Sequence, residues 1–586
     1  PDLLLEIGTE EIPAGYIQQG LKQMRESMQF LLQGERIGFE GINTYGSPRR
    51  LSILVTGVAA SQMDADVEVL GPPKSAAYDK QGSPTKAAEG FARSQGTGME
   101  NLKIKTTTKG EYLCVEKHIQ GKAAIEVLQK SLPGLIASIY FPKSMRWGTK
   151  EIRFARPIRW LLALLEDRVI PFELDGIPSG NITYGHRFLA PSPITISQAE
   201  DYVASMEKAF VIVDIDKRKE MIAAGIAKEA QRHRGMEEGF SYDINADLLD
   251  EVACLVEYPV VLKGGFDEKY LALPHDVVIT SMCEHQRYFP VINNDTLLPY
   301  FLVVANTSQS PDIVREGNER VLRARLADAA FFWDCDRKVS LDEKVEQQKM
   351  VVWQEKAGTL YEKTQRIVEI AARITEKLNL VRKTAPLDVE MVKRAALLCK
   401  ADLLTEMVGE FPTLQGIMGY HYALSDGESE DVALAVRDHY LPKSFDDDVP
   451  QTLMGAIVSI ADKIDSIVAC FNVGLIPTGS EDPYALRRQA QGIINIILKL
   501  NIPINLLWLV ETACAACQGQ EEKTTEIMRF LRQRLEYALI SVEFAADTVD
   551  AVLEVDFTSP TNALTRAIAL EEIRKMPDIE PLSISF

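Results

Sequence analysis

The chain has 586 residues, 46% of them hydrophobic and 25% charged, with a formal net charge of −20. That length exceeds a single hydrophobic core and sets a prior of roughly three to five domains; the ordinary composition excludes a disordered, collagenous or disulfide-rich chain. The acidic balance excludes unspecific affinity for nucleic acid over the whole surface, although a local basic patch can still hold phosphates.

Pro1-Asp2 opens the chain without Met, from which a few missing leading residues are expected. No basic stretch precedes Leu3-Leu4-Leu5, so no signal peptide is expected. Leu3-Leu4-Leu5 and Leu51-Ser-Ile-Leu-Val55 read as short strands. Asp64-Ala65-Asp66 could be a two-carboxylate magnesium motif, but it lacks a phosphate-cradling Gly turn before it and reads better as a solvated loop. Asp216, Ile222, Ile226 and Ala230 give the stripe of an amphipathic helix, and 247–256 reads as another. The strand-like Tyr258-Pro-Val-Val-Leu262 is expected to break at Gly264-Gly265, and Asn293-Asn294-Asp295 to turn a hairpin. This half is α+β, divided at residues 1–200 and 201–338.

The register changes near residue 338. Ser340-Leu-Asp-Glu343 is a capping box. Beyond it Ile367, Ile370, Ala371, Ile374 and Leu378 form one apolar helix face, and Met391, Val392, Ala395 and Leu398 another. Residues 339–510 therefore read as a helical domain. The segment 511–586 continues the helical pattern through Ile527, Phe530, Leu531, Leu535 and Leu539. Apolar stretches are short; 506–517 is broken by Glu511, and none approaches the ~18 to 20 residues of a membrane span. No membrane association is expected.

Eight cysteines are spread thinly, as suits reduced, buried thiols of a cytoplasmic protein. Cys514-Ala-Ala-Cys517 lacks the second ligand pair of a zinc site and reads as two helical core residues. The seven histidines show no i, i+4 pairing. No metal and no catalytic residue is assigned. The phosphate loop, the dinucleotide fingerprint, the zinc-protease helix and the hydrolase elbow are all missing, as are the ATP-binding motifs of both aminoacyl-tRNA synthetase classes.

The densest candidate site is Phe141-Pro-Lys-Ser-Met-Arg-Trp-Gly-Thr-Lys-Glu-Ile-Arg-Phe-Ala-Arg-Pro-Ile-Arg-Trp160. Lys143, Arg146, Lys150, Arg153, Arg156 and Arg159 stand against the single acid Glu151, interleaved with aromatics that include Trp147. Two readings stand: contact with RNA or a partner subunit, since Arg pairs phosphates and rings stack on bases; or a strand-turn-strand with core aromatics and arginines paired elsewhere. The mixed-sign run Gly317-Asn-Glu-Arg-Val-Leu-Arg-Ala-Arg325 reads as a salt-bridged helix face. Glu481-Asp-Pro-Tyr-Ala-Leu-Arg-Arg488 opens a helix, with Arg487 and Arg488 as further phosphate candidates.

Several segments, in order, resemble the beta subunit of bacterial two-subunit glycine–tRNA ligases. They are Glu6-Ile-Gly-Thr-Glu-Glu-Ile-Pro13, Ser47-Pro-Arg-Arg-Leu51, Gly71-Pro-Pro73, Thr85-Lys-Ala-Ala-Glu-Gly-Phe-Ala92 and Pro142-Lys-Ser-Met-Arg-Trp-Gly148. Gly185-His-Arg-Phe188, Leu255-Val-Glu-Tyr-Pro-Val-Val261, Arg323-Ala-Arg-Leu-Ala-Asp328 and Glu481-Asp-Pro-Tyr-Ala-Leu-Arg-Arg488 follow. The resemblance implies an assembly of two alpha and two beta chains that glycylates tRNA-Gly. The alpha subunit would activate glycine with ATP and Mg²⁺, and this chain would hold tRNA and bind no cofactor. It also implies that the helical domain is similar to the HD phosphohydrolase fold in a degenerate form. Lys400-Ala401-Asp402 stands in place of His-Asp and Lys363 in place of a first His, leaving Asp462 as a ligand-type residue. Ammonium groups repel a divalent cation, so no catalytic metal is expected there. The family continues into a helical anticodon-binding domain, most of which lies past Phe586, so no anticodon contact is expected. The alternatives are a scaffold that only assembles the complex, and a stand-alone phosphohydrolase of the HD type, which intact metal ligands would have marked.

Overall fold

A computed structural model describes residues 1–79, 83–108, 110–233, 240–241, 245–293, 296–381, 385–479, 481–518 and 522–575. The chain divides into two compact units, one of residues 1–266 and 286–320, the other of 267–285 and 321–586. It is a multidomain α+β protein, with its sheets concentrated in the first unit and helices dominating the second.

In the first unit, strand Leu3–Thr9 lies between Arg50–Thr56 and Ile158–Leu165, antiparallel to both, with Gly41–Ser47 outside Arg50–Thr56. Ile177–Gly180 joins Ile158–Leu165 in parallel. Leu3-Leu4-Leu5 is an unbroken apolar run because both faces of this sheet are covered. Leu3, Leu5 and Ile7 pack under helices Ala14–Gly34 and Ala124–Ser138, while Leu4 packs against Tyr202, Met206 and Val213 on the other face.

A smaller antiparallel sheet, Ala65–Pro73, Gly110–Ile119 and Lys103–Thr107, packs with helix Lys86–Ser94 around Ala77, Ala88 and Leu113. It corrects the loop reading of Asp64-Ala65-Asp66: Ala65 and Asp66 begin a strand, and both carboxylates flank the exposed His118 across it, at 3.3 Å and 2.9 Å. A Cβ on Gly71 would lie 2.6 Å from the Phe91 ring, which ties two of the recognised segments together.

The third sheet corrects a second reading. Gly264 and Gly265 do not break the strand; they continue Val260–Gly265 opposite Phe301 and Tyr300. The Phe301 ring fills the place of the Gly264 side chain, 2.4 Å from a Cβ built there, so the strand persists because glycine admits the ring. Phe289–Asn293 and Thr296–Ala305 pair as the expected hairpin arms, while Asn294 and Asp295 of its turn lie outside the described residues. The expected helix after Asp216 is Ile215–His233, with Ile222 and Ile226 buried; the one expected over 247–256 is shorter, Ala246–Ala253.

In the second unit Ser340 caps helix Leu341–Gln347, its hydroxyl accepting from the Glu343 N–H at 3.3 Å. Helix Leu453–Asn472 is the centre of this unit, buried without interruption from Met454 to Phe471, as a helix enclosed on all sides must be. Leu360–Val381, Glu430–Asp438 and Leu486–Lys499 pack around it. A small hairpin of Val352–Gln354 and Gly358–Thr359 interrupts the helical pattern, which the sequence reading did not anticipate. Cys517 lies one residue beyond helix Leu506–Ala516 rather than inside it, and its thiol donates to Asp465 at 3.5 Å. Among the described residues no helix is long and apolar enough to cross a membrane.

Candidate nucleic-acid interface

Three of the recognised segments, 6–13, 47–51 and 255–261, meet in one buried polar network of the first unit. Arg50 is fully buried between two carboxylates, 3.5 Å from Glu6 and 3.2 Å from Glu257. Glu6 also accepts from Trp160 Nε1 at 2.5 Å, from Thr183 Oγ1 at 2.5 Å and from the Tyr202 hydroxyl. Ser47 Oγ donates to Glu257 at 2.7 Å. The two carboxylates raise the Arg50 pKa despite its burial. Arg218, also buried, donates instead to the carbonyls of Ala253, Gly46 and Ile212, and burial lowers its pKa to about 10. In Gly185-His-Arg-Phe188, His186 Nδ1 accepts from the N–H groups of Phe188 and Leu189 and shapes a turn. These residues are structural.

The basic segment follows helix Ala124–Ser138 and leads into strand Ile158–Leu165. Its aromatics are mostly core: Phe141 and Phe154 are buried edge to face at 4.9 Å, Trp160 is buried on Glu6, and Trp147 is half-buried against the same core. Met145 and Phe154 pair backbones at 2.9 Å and 3.2 Å, closing the loop between them, and Gly148 at φ +55° turns it. Asp175 holds the loop from below by accepting from the N–H groups of Glu151 and Ile152, while Lys150 donates to the Asp175 carbonyl.

The remaining cations point outward. Lys143, Arg146, Arg153, Arg156 and Arg159 are all exposed. Arg159 pairs with Glu10 at 2.7 Å; Arg187 shares that carboxylate at 3.1 Å, and the Arg159 hydrogen bond holds Glu10 below its usual range. Arg153 donates to Ser144 and Arg156 to the Ala155 carbonyl. Among the described residues Lys143, Arg146, Arg153 and Arg156 make no ion pair. The structure thus supplies core aromatics, as the strand-turn-strand reading holds, but of the charge pairing that reading also needs it supplies only Arg159 with Glu10 among the described residues.

Arg487 and Arg488 lie in the second unit, in the first turn of Leu486–Lys499. The Asp482 carboxylate caps this helix, accepting from the N–H groups of Leu486 at 2.8 Å and Arg487 at 2.9 Å. Arg487 is half-buried and Arg488 exposed. Arg488 opens onto a cavity of about 520 Å³, lined also by Lys363, Lys400, Lys443, Lys463 and Asp462.

The floor of this cavity shows what lysine does at the degenerate positions. Lys363 Nζ lies 2.9 Å from Asp462 Oδ1, 2.9 Å from Asp465 Oδ2 and 2.7 Å from Ser466 Oγ. Lys400 Nζ lies 2.7 Å from Asp462 Oδ2, so ammonium groups flank both oxygens of that carboxylate. Asp402 is turned to the backbone, accepting from the N–H groups of Gly416 at 2.5 Å and Gly419 at 3.1 Å, and burial raises its pKa to about 6. A divalent cation does not fit a donor set already neutralised by ammonium groups. Lys463 has only neutral acceptors, the carbonyls of His439, Tyr440 and Leu441 and the Ser459 hydroxyl, and burial lowers its pKa to about 7. Sequence reasoning named Lys363, Lys400 and Arg488 separately but missed Lys443 and Lys463. The adjacency of Lys463 to Asp462 was the available signal.

Comparison with known proteins covers almost the whole chain. The family model described as glycyl-tRNA synthetase beta subunit matches residues 3–554. A glycine–tRNA ligase beta subunit of Syntrophotalea carbinolica is 46% identical, one of Syntrophus aciditrophicus 45% and one of Geobacter sp. 46%. Each alignment covers 100% of this chain and 84% of the relative. With the ordered segments, the network they build and this end-to-end likeness in agreement, the chain belongs to the glycyl-tRNA synthetase beta subunit family.

Proposed function

We propose that this chain serves the ATP-dependent glycylation of tRNA-Gly in the cytoplasm, holding tRNA while an alpha subunit activates glycine, in an assembly of two alpha and two beta chains. The observation that carries the reading is the 46% identity to a glycine–tRNA ligase beta subunit over the full length of this chain. The alpha subunit uses ATP and Mg²⁺; this chain binds neither for catalysis and contributes no catalytic residue. Preorganised cationic clamps for a transferring adenylate need the binding motifs that this sequence lacks.

Within this reading the exposed cations at 143, 146, 153 and 156 contact tRNA phosphates. Such contacts position RNA without reading its bases, so they suit a subunit that holds the substrate for another chain. The test is reconstitution: this chain is co-purified with the alpha subunit and tRNA charging is measured with each amino acid in turn. Charging with glycine only, and only when both chains are present, is the expected result. Glycine-dependent ATP–pyrophosphate exchange by this chain alone, free of alpha subunit, overturns the division of labour.

A further inference from the structure

The cavity in the second unit has a charge balance that its structural role does not require. Five cations line it, Lys363, Lys400, Lys443, Lys463 and Arg488, against the single carboxylate of Asp462. Two of them are committed to Asp462, and Lys463 satisfies backbone carbonyls. Lys443 and Arg488 make no ion pair among the described residues, yet both open onto the same space. Asp447, nearby, accepts from the N–H groups of Lys443 and Asp448. With Lys463 neutral, the lining carries four positive charges against one negative; Asp465, behind the lining, also pairs with Lys363, so the surplus is carried chiefly by Lys443 and Arg488, which have no ion pair among the described residues. Like charges held together in a partly desolvated space repel, and an entering anion relieves that repulsion.

Three further features narrow the anion. The volume, about 520 Å³, far exceeds that of a bare inorganic ion and lies within the range of small-molecule sites. Trp353 and Tyr484 line the wall with their rings 6.5 Å apart and tilted by 53°, Lys363 Nζ lying 4.6 Å from the Trp353 ring centre, and aromatic rings of this kind can stack on a planar base. The lysine side chains of the floor are sunk: Lys363 is 3% exposed, Lys400 5% and Lys463 5%. A phosphodiester inside a continuous strand is flanked by two neighbours and cannot descend to groups so enclosed, whereas a terminal phosphate can.

We propose that this cavity is a binding site for the terminal phosphate of a nucleotide, with the phosphate held by the lysine floor and Arg488 and the base against the aromatic wall. The site binds and does not hydrolyse, since ammonium groups stand where metal ligands would be needed. This inference is independent of the tRNA contact proposed for the first unit.

The test uses the full chain, with AMP, ADP, adenosine, inorganic phosphate and a short oligoribonucleotide made with and without a 5′-phosphate as probes, measured by calorimetry and by the shift of the thermal transition. AMP or ADP is expected to bind with Kd below about 1 mM and to raise the transition temperature, while adenosine does neither. K443Q/R488Q, which removes the two cations without ion pairs, should weaken the nucleotide by about tenfold or more while leaving the ligand-free transition in place. Binding of the 5′-phosphorylated oligonucleotide alone would keep the terminal-phosphate site and assign its source to an RNA end. Equal binding of the two oligonucleotides with no competition from AMP overturns the proposal, as does absence of binding by every probe. W353L provides a second check, because loss of the ring should weaken AMP more than inorganic phosphate.

Discussion

Each unit buries a cluster of charge, and the two clusters are balanced differently. In the first, one guanidinium stands between two carboxylates, and the indole N–H of Trp160 with the hydroxyls of Ser47, Thr183 and Tyr202 fills the remaining acceptor positions. That arrangement is closed; it pins Leu3–Thr9, Arg50–Thr56 and Ile158–Leu165 in one register. In the second, Lys363, Lys400 and Arg366 converge on Asp462 and Asp465, with Lys463 alongside, and positive charge is left over where the cluster meets a cavity. A satisfied buried network contributes specificity of fold, whereas one left in surplus beside open space is prepared for a counter-charge.

Breaking the closed cluster should have the largest effect. Arg50→Met leaves Glu6 and Glu257 buried without a cation, and the denaturant transition of the first unit should lose about 3–5 kcal/mol. The E6Q/R50M/E257Q triple variant should recover part of that loss, since the cost arises from uncompensated charge. A full loss in the triple variant would mean that packing, not charge, dominates.

Asp462→Asn takes away the anion between Lys363 and Lys400 and should destabilise the second unit by about 3 kcal/mol. Added phosphate should raise the thermal transition of this variant more than that of the parent chain, because the surplus has grown. Equal shifts would separate the cluster from the cavity.

A smaller effect tests the enclosure of Lys463. Its folded pKa of about 7 lies below the ~10.4 of an unfolded lysine, so between those values the unfolded chain binds more protons and stability must rise with pH. Lys463→Met removes that contribution. The difference in stability between parent and variant should change by at most about 1.4 kcal/mol per pH unit inside this window and level off outside it. A difference independent of pH would show that Lys463 is charged in both states.

The smallest effect on stability should come from R146A/R153A/R156A, within about 0.5 kcal/mol of the parent, because these side chains are exposed and make no ion pair. Its signature lies elsewhere. If the three contact phosphates, the slope of log K against log salt for tRNA flattens by roughly 2 to 3 units, equally for different tRNA sequences. Glycine activation by the alpha subunit should stay near normal. Loss of the assembly instead would assign this surface to the partner subunit.

What the sequence allowed to be read divides along the same line. An unbroken apolar run disclosed Leu3-Leu4-Leu5 and helical periodicity the stripe from Ile367 to Leu378, because burial imposes both locally. The Gly264-Gly265 strand was misread since its cause, the Phe301 ring, sits on another strand. Asp64-Ala65-Asp66 was misread because its carboxylates were weighed apart from the alternation of Ala65, Val67 and Val69 with Asp66 and Glu68 that they open. Nothing around Glu6 announces that this acid is buried, for its partners lie between 44 and 196 residues away at Arg50, Trp160, Thr183 and Tyr202. The basic run at 143–159 stood out as a local excess of charge. The cavity did not, because Lys363, Lys400, Lys443, Lys463 and Arg488 come from five separate stretches and meet only after folding.

Helix Leu453–Asn472 carries a consequence for timescale. Buried from Met454 to Phe471 and reached by the cavity only at Asp462, Lys463 and Ser466, its amides should exchange with deuterium mainly when the second unit opens as a whole. Asp462 and Lys463 ride on that helix. Their positions are therefore set before any ligand arrives, and a bound anion would lose little freedom in the floor beneath it; ordering would be confined to the exposed Lys443 and Arg488 at the mouth.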